Sequence, residues 1–242
     1  RFSFDDWLRD HAQTNETIQN FWNLIILPSL NDNIESVSAH TGIELFKVAL
    51  LGAANNPAMG IPLFGLSTLV GENAKKFIEG HGGEIRTGIN VQSLEITKGR
   101  ISGIRTSKDQ LIEGEAVVSA VPASAMTPLL PSGSRVKEDF FTPAESVRTA
   151  PIVAIHIWYD RPVMTDKFVA TIDSPLQWVF NDTDLKSLNE KGQHIVISLS
   201  GAWKWQDKSK KQLREIFTEE MTNTFPAAKD ANVEKFAVVK MI

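Results

Sequence analysis

The sequence predicts an α+β protein in which a helical opening block is followed by hairpin and sheet segments, and three observations carry that prediction. Apolar residues recur at helical spacing from Phe4 to Leu51. A stretch from Ile85 to Ile104 reads as a two-strand hairpin closed by Lys98-Gly99. From Ile152 to Tyr159 every residue is apolar or aromatic except His156, the pattern of a long strand.

Taken in order, Phe4, Trp7 and Leu8 mark a first helix. Ile18, Phe21, Trp22 and Ile25 mark a second, capped by Thr14 or Asn15 and ended by Pro28. Ser36 or Ser38 caps a third helix running through Leu51, which Asn55-Asn56-Pro57 breaks. Leu66, Leu69, Val70, Ala74, Phe77 and Ile78 fall on one helical stripe, and Gly80, Gly82 and Gly83 supply its termination. Ile85, Val91, Leu94 and Ile96 lead into the Lys98-Gly99 turn, and Ile101 and Ile104 return from it. Ala116 to Val121 is small and apolar throughout, as in a strand covered on both faces, and Pro122 ends it. A Pro/Ser/Gly loop from Pro128 to Ser134 is the best internal boundary. Beyond it come strands at Ile152–Tyr159, Trp178–Phe180 and His194–Ser200, an amphipathic helix over Lys208–Phe225 and a last strand over Val233–Val239. The expected organisation is therefore 1–60 helical, 61–127 an interleaved helix, hairpin and strand, and 128–242 a sheet with one helix.

At 242 residues and 42% hydrophobic content the chain is long enough for a sizeable core. A net charge of -4 argues against a nucleic-acid partner. The absence of cysteine removes disulfides, thiolate nucleophiles and cysteine-based metal sites, and suits a cytoplasmic setting. The five histidines include no His-x-x-x-His or His-Glu-x-x-His pair, so no metal is expected. His81-Gly82-Gly83 resembles an oxyanion motif in letters only, because no Gly-x-Ser-x-Gly elbow accompanies it. His156 and His194 fall in expected strands of one sheet, where an approach to each other is one reading and a satisfied or half-exposed strand residue at each position is the favoured one.

Three ordered motifs add a resemblance. Pro62, Gly65, Leu66 and Leu69, then GGEIRTGINV ending at Val91, then SAVP ending at Pro122, are similar to the pattern of the flavin-containing amine oxidase and phytoene desaturase superfamily. The opening FDDWLRDHAQTNETIQNFWNLIILPSLN and the phrases HIWYDRPV and LQWVFN resemble the squalene-associated branch, typified by hydroxysqualene dehydroxylases of hopanoid synthesis. The resemblance implies a substrate-binding domain of mixed sheet plus helices, carrying an inserted piece of an FAD-binding domain. It implies FAD as cofactor, with Val91, Ala120, Val121 and Pro122 as cofactor-binding residues, Val91 through its backbone toward adenine. It also implies a long apolar isoprenoid as substrate, met by an aromatic-lined cavity for which Trp22, Phe64, Trp158 and Trp178 are the candidates.

None of the fifteen glycines forms Gly-x-Gly-x-x-Gly, and no Gly-Asp segment closes the chain, so the expectation is a piece of a longer parent whose own FAD binding is in question. An acid for a departing hydroxyl is required by dehydroxylation; Asp5, Asp6, Asp160 and Glu44 are available and spacing does not choose among them. Two other readings stay open, a non-catalytic lipid-binding or interaction module and an amine or amino-acid oxidase. A lipid substrate makes a peripheral membrane contact reasonable, although no basic amphipathic helix marks one.

Overall fold

The computed structural model describes residues 2–53, 58, 60–131, 146–188 and 191–241. Its contacts divide the chain into two units, one formed by Arg1–Leu69 with Ala150–Ile242 and the other by Val70–Thr149.

In the first unit, α1 (Phe4–Asp10) starts at a capping box in which the Ser3 hydroxyl accepts from the Asp6 amide and the Asp6 carboxylate accepts from the Ser3 amide. A single helical run follows, built of α2 (Asn15–Thr17), a π-helical turn over Ile18–Asn23 and α3 (Leu24–Leu30). Pro28 does not end it, contrary to the sequence expectation. The ring removes the amide that would have donated to the carbonyl four residues back, at Leu24, and the indole Nε1 of Trp178 donates to that oxygen instead at 3.4 Å. The helix stops at Asn31, which takes the left-handed conformation at φ 56°. Ser38 caps α4 (Ala39–Ala49), and Phe4, Leu8, Ile18, Ile26, Ile34, Val37 and Phe46 close a core of their own. The expected break at Asn55-Asn56-Pro57 lies outside the described residues.

The second unit begins within a π-helical turn over Ser67–Glu72, which α5 (Asn73–Gly80) continues. Strands β1 (Val91–Thr97), β2 (Arg100–Thr106) and β3 (Leu111–Glu113) form a three-stranded antiparallel sheet. Lys98 and Gly99 both adopt positive φ, at 51° and 75°, which is what a two-residue turn matching the strand twist requires. Two expectations are corrected here. Ile85 precedes the first strand, and Ala116–Val121 forms no strand at all: Val118 is 96% exposed, and no described strand offers this segment the ladder its backbone would need. The short helix α6 (Ala123–Met126) follows Pro122. Of the predicted boundary loop, residues 132–134 lie outside the described residues.

Returning to the first unit, β4 (Ile152–Tyr159), β5 (Phe168–Ala170), β6 (Trp178–Asn181), β7 (Gln193–Leu199) and β8 (Val233–Met241) make a wholly antiparallel sheet in the order β5-β6-β7-β4-β8. The short α7 (Asp182–Leu185) leaves the end of β6, and α8 (Lys210–Thr224) is capped by Ser209. Leu213, Phe217 and Met221 of α8, spaced four apart, join Val153, Ile155, Ile157 and Tyr159 of β4 and Ile195, Ile197 and Leu199 of β7 in one core. Burial inside this core pushes the Tyr159 phenol up to about 12. The chain thus has mixed helices and antiparallel sheets, as expected; β3, β5 and α7 are the additions.

Asn31 ties the helical block to the sheet. Its Nδ2 donates to the Ala150 carbonyl at 2.7 Å and its Oδ1 accepts from the Gly201 amide at 2.9 Å. Gly201 sits at φ 53°, where a Cβ would lie 2.9 Å from Leu27 Cδ1. Replacing Asn31 by Ala leaves both backbone groups without partners and is expected to cost about 1–3 kcal/mol. Phe217→Ala, which hollows the core, is expected to cost about 3–5 kcal/mol. Urea unfolding of the two variants checks both values.

Candidate functional site

Alternation along the strands places a second set of side chains on the face of the five-stranded sheet opposite its core. By register these are Phe168 and Ala170 on β5, Trp178 and Phe180 on β6, and His194, Val196 and Ser198 on β7. Ala154, His156 and Trp158 on β4 complete the set with Lys235 and Ala237 on β8. At one end the rings of Phe168, Trp178 and Phe180 lie 6.1–6.3 Å apart. At the other, Trp158 stacks on its cross-strand partner His194 at 4.2 Å with planes 3° apart, and Lys235 Nζ stands 4.5 Å from the Trp158 ring.

Three titratable groups are joined on this face. The Asp182 carboxylate lies 2.8 Å from His194 Nδ1, and His194 Nε2 lies 3.1 Å from His156 Nδ1. Local structure explains the placement. Asp182 opens α7, whose cap is Asn181 Oδ1 accepting from the Asp184 amide at 3.2 Å, and Thr183 Oγ1 accepts from the His194 amide at 2.8 Å. Lys186 Nζ, one turn on, donates to the same Asp182 oxygen at 2.7 Å. Burial, the largest influence, holds both imidazoles below the ordinary histidine value of 6.5 against the opposite pull of Asp182; Lys186 adds to the lowering.

A cavity of about 700 Å³ adjoins Trp178. Its walls are the π-helical turn (Gln19, Asn20, Asn23), α3 residues Leu24, Leu27 and Pro28, the connection between β5 and β6, and Lys204, Trp205 and Lys208. Asn23 Oδ1 is buried there without a protein partner. Trp178 is therefore shared between the aromatic face and the cavity.

Of the residues expected to meet substrate, Trp158 and Trp178 lie on this face. Trp22 packs inside the helical block, edge-on to Phe46 at 4.7 Å with its Nε1 donating to Gln13. Phe64 is 65% exposed in a bend and does not line the cavity. In the other unit Val91 opens β1, half-buried, while Ala120, Val121 and Pro122 are exposed and outside any ladder. A cavity of that unit is lined by Ile101, Ser102, Glu113, Gly114 and Glu115, none of them the expected residues and two of them carboxylates. Among the described residues the four expected cofactor contacts are not gathered into one cavity.

The four acids offered by the sequence are each engaged locally. Asp5 pairs with Arg9, Asp6 belongs to the capping box, Glu44 pairs with Lys47, and Asp160 accepts from Arg161 and Asn232, which hold its carboxyl far below the usual range. Asp182 was missed. The one local signal for it was its position two residues after a predicted strand, since its partner lies 12 residues away.

The comparisons with known proteins agree with this architecture. A family described as "Flavin containing amine oxidoreductase" matches residues 1–240. The 15-cis-phytoene desaturase of Synechococcus elongatus is 26% identical over 148 residues, covering 58% of this chain and 31% of that protein. The chloroplastic/chromoplastic 15-cis-phytoene desaturase of Solanum lycopersicum is 24% identical over 168 residues, covering 67% of this chain and 29% of its own length. Among solved structures, an oxidoreductase from Methanosarcina mazei has a TM-score of 0.79 at 18% identity, covering 98% of this chain and 56% of that one. Putrescine oxidase bound to putrescine has a TM-score of 0.70 at 13% identity, covering 98% and 53%. The chain spans about a third of the length of these curated relatives and about half that of the solved chains. No described helix is long and apolar enough to cross a membrane.

A pH dependence follows from the buried imidazoles. Because their proton affinity is lower in the fold than in the unfolded chain, the unfolded state takes up more protons between the depressed values and 6.5. Acid therefore costs stability, beginning as pH falls through about 6.5 and ending below the depressed values. The melting temperature is expected to fall over this window, and to fall less in a His156→Gln/His194→Gln double variant. Thermal melts from pH 7.5 to 5 measure the difference.

Proposed function

We propose, from the premise that this chain belongs to the flavin containing amine oxidoreductase family, that it is the substrate-binding part of an FAD-dependent oxidoreductase acting on a long apolar isoprenoid. The reaction is hydroxysqualene-type dehydroxylation or carotenoid-type desaturation. In the family the flavin carries the redox chemistry, and the protein supplies binding, orientation and the exclusion of water.

The observation that carries this reading is the aromatic sheet face. Trp158, Phe168, Trp178 and Phe180 stand on the side of the sheet turned away from its core, where a soluble sheet ordinarily presents polar side chains. The rings of Phe168, Trp178 and Phe180, a cluster with no titratable member, suit a flexible hydrocarbon, which offers area and no hydrogen bonds. The phytoene desaturase relatives are consistent with an isoprenoid. A peripheral membrane contact, from which such a substrate would be taken, belongs to the same proposal.

Farnesol or a longer isoprenoid added to the purified chain is expected to quench tryptophan fluorescence saturably. Trp178→Ala and Trp158→Ala should each weaken binding by about 1.5–3 kcal/mol, roughly 10- to 150-fold. Non-saturable quenching, or unchanged affinity in both variants, overturns the proposal. A flavin absorbance band retained after adding FAD and removing the excess would show that the chain also completes a cofactor site alone.

A further inference from the structure

The joined Asp182, His194 and His156 have a direction that can be read from their partners. Asp182 accepts from Lys186 Nζ at 2.7 Å and faces His194 Nδ1 at 2.8 Å, so that ring nitrogen carries the hydrogen and donates. A neutral His194 then has a bare Nε2, which accepts from Nδ1–H of His156 at 3.1 Å. His156 in turn is left with a bare Nε2, for which the described residues give no hydrogen-bond partner. The ring is half-buried, one position along the strand face from Trp158, whose ring lies 5.9 Å away. The reverse direction would need Asp182 to donate, which its bond from Lys186 opposes.

An aromatic face thus contains a hydrogen-bond acceptor whose orientation is fixed. We propose that His156 is a specificity-determining residue that accepts a hydrogen bond from the hydroxyl of an otherwise apolar isoprenoid alcohol, and that His194 and Asp182 are positioning residues that set its tautomer. This deepens the function proposed above and rests on it. A hydrocarbon of the same shape would cover the acceptor and give it nothing, and burying an unpaired acceptor is unfavourable. The site therefore prefers the alcohol. His156 acts as an acceptor only while the His194 imidazole stays neutral; Asp182, Lys186 and Lys235 are the charged groups around the pair.

Two measurements on the intact chain test this. Long-range nitrogen–proton correlation spectra of histidine-labelled protein at pH 7.5 should show both His156 and His194 protonated on Nδ1. Adding farnesol should shift the Nε2 resonance of His156, whereas farnesyl methyl ether, which has no donor, should not. A His156 ring protonated on Nε2 overturns the proposal without any variant being made. In fluorescence titrations the alcohol should bind about 3- to 10-fold more tightly than the ether, the worth of one neutral hydrogen bond. His156→Phe, which keeps an aromatic ring and deletes the acceptor, should remove that preference. Asp182→Asn should release the tautomer of His194 and lower the preference. Equal binding of the two ligands by the unaltered chain, or a preference retained in His156→Phe, refutes the role of His156 and leaves the aromatic face as a ligand site. If neither ligand binds saturably, the isoprenoid reading itself fails, and this inference with it.

Discussion

The pleat of β4 is the constraint on which the rest of this structure depends. The strand is hydrogen-bonded on both sides, to β7 and to β8, so it cannot slip in register without disturbing two ladders. Each of its residues is thereby assigned to one of two surfaces. Val153, Ile155, Ile157 and Tyr159 meet α8 and close the core. Ala154, His156 and Trp158 fall on the other side, where they meet Ser198, Val196 and His194 across the β7 ladder. The stability of the first unit and the chemistry of its open face are thus two sides of one strand. A shift of one residue would turn the histidine and tryptophan into the core and four large apolar side chains toward solvent.

That open face is divided along its length. One end is a cluster of three rings with no titratable member, and the other joins Trp158 to two imidazoles, a carboxylate and two lysines. A flexible apolar ligand lying along the sheet would therefore meet area at one end and polarity at the other. Such a gradient gives a long chain an orientation, which uniform apolar lining does not.

Much of the fold was legible because it is set by short-range physics. Lys98-Gly99 between two alternating runs specifies a hairpin wherever it occurs. The stripe Leu213, Phe217, Met221 specifies α8, and the run Ile152–Tyr159, apolar or aromatic but for His156, specifies β4. What escaped depends on distant partners. β5 has three residues and exists because β6 pairs with it; Pro28 stays within a helix because an indole from another strand serves the orphaned carbonyl. Ala116–Val121 has the composition of a buried strand, yet composition supplies no ladder. The candidate site divided in the same way: Trp158 and Trp178 are strand aromatics visible by pattern, whereas the link of His194 to Asp182 exists only after β6 and β7 pair.

The bond from Trp178 to Leu24 has a consequence for how the chain matures. Its two residues are 154 positions apart, and those joining Asn31 to Ala150 and Gly201 span 119 and 170. The helical block contains its own apolar core and precedes the sheet in the sequence, but the carbonyl beneath Pro28 and the side-chain amide of Asn31 find these partners only once the sheet segments have been synthesised. Contacts of this sequence separation carry the loop-closure entropy that local helix contacts avoid, so the two parts of the first unit are joined by its most non-local bonds.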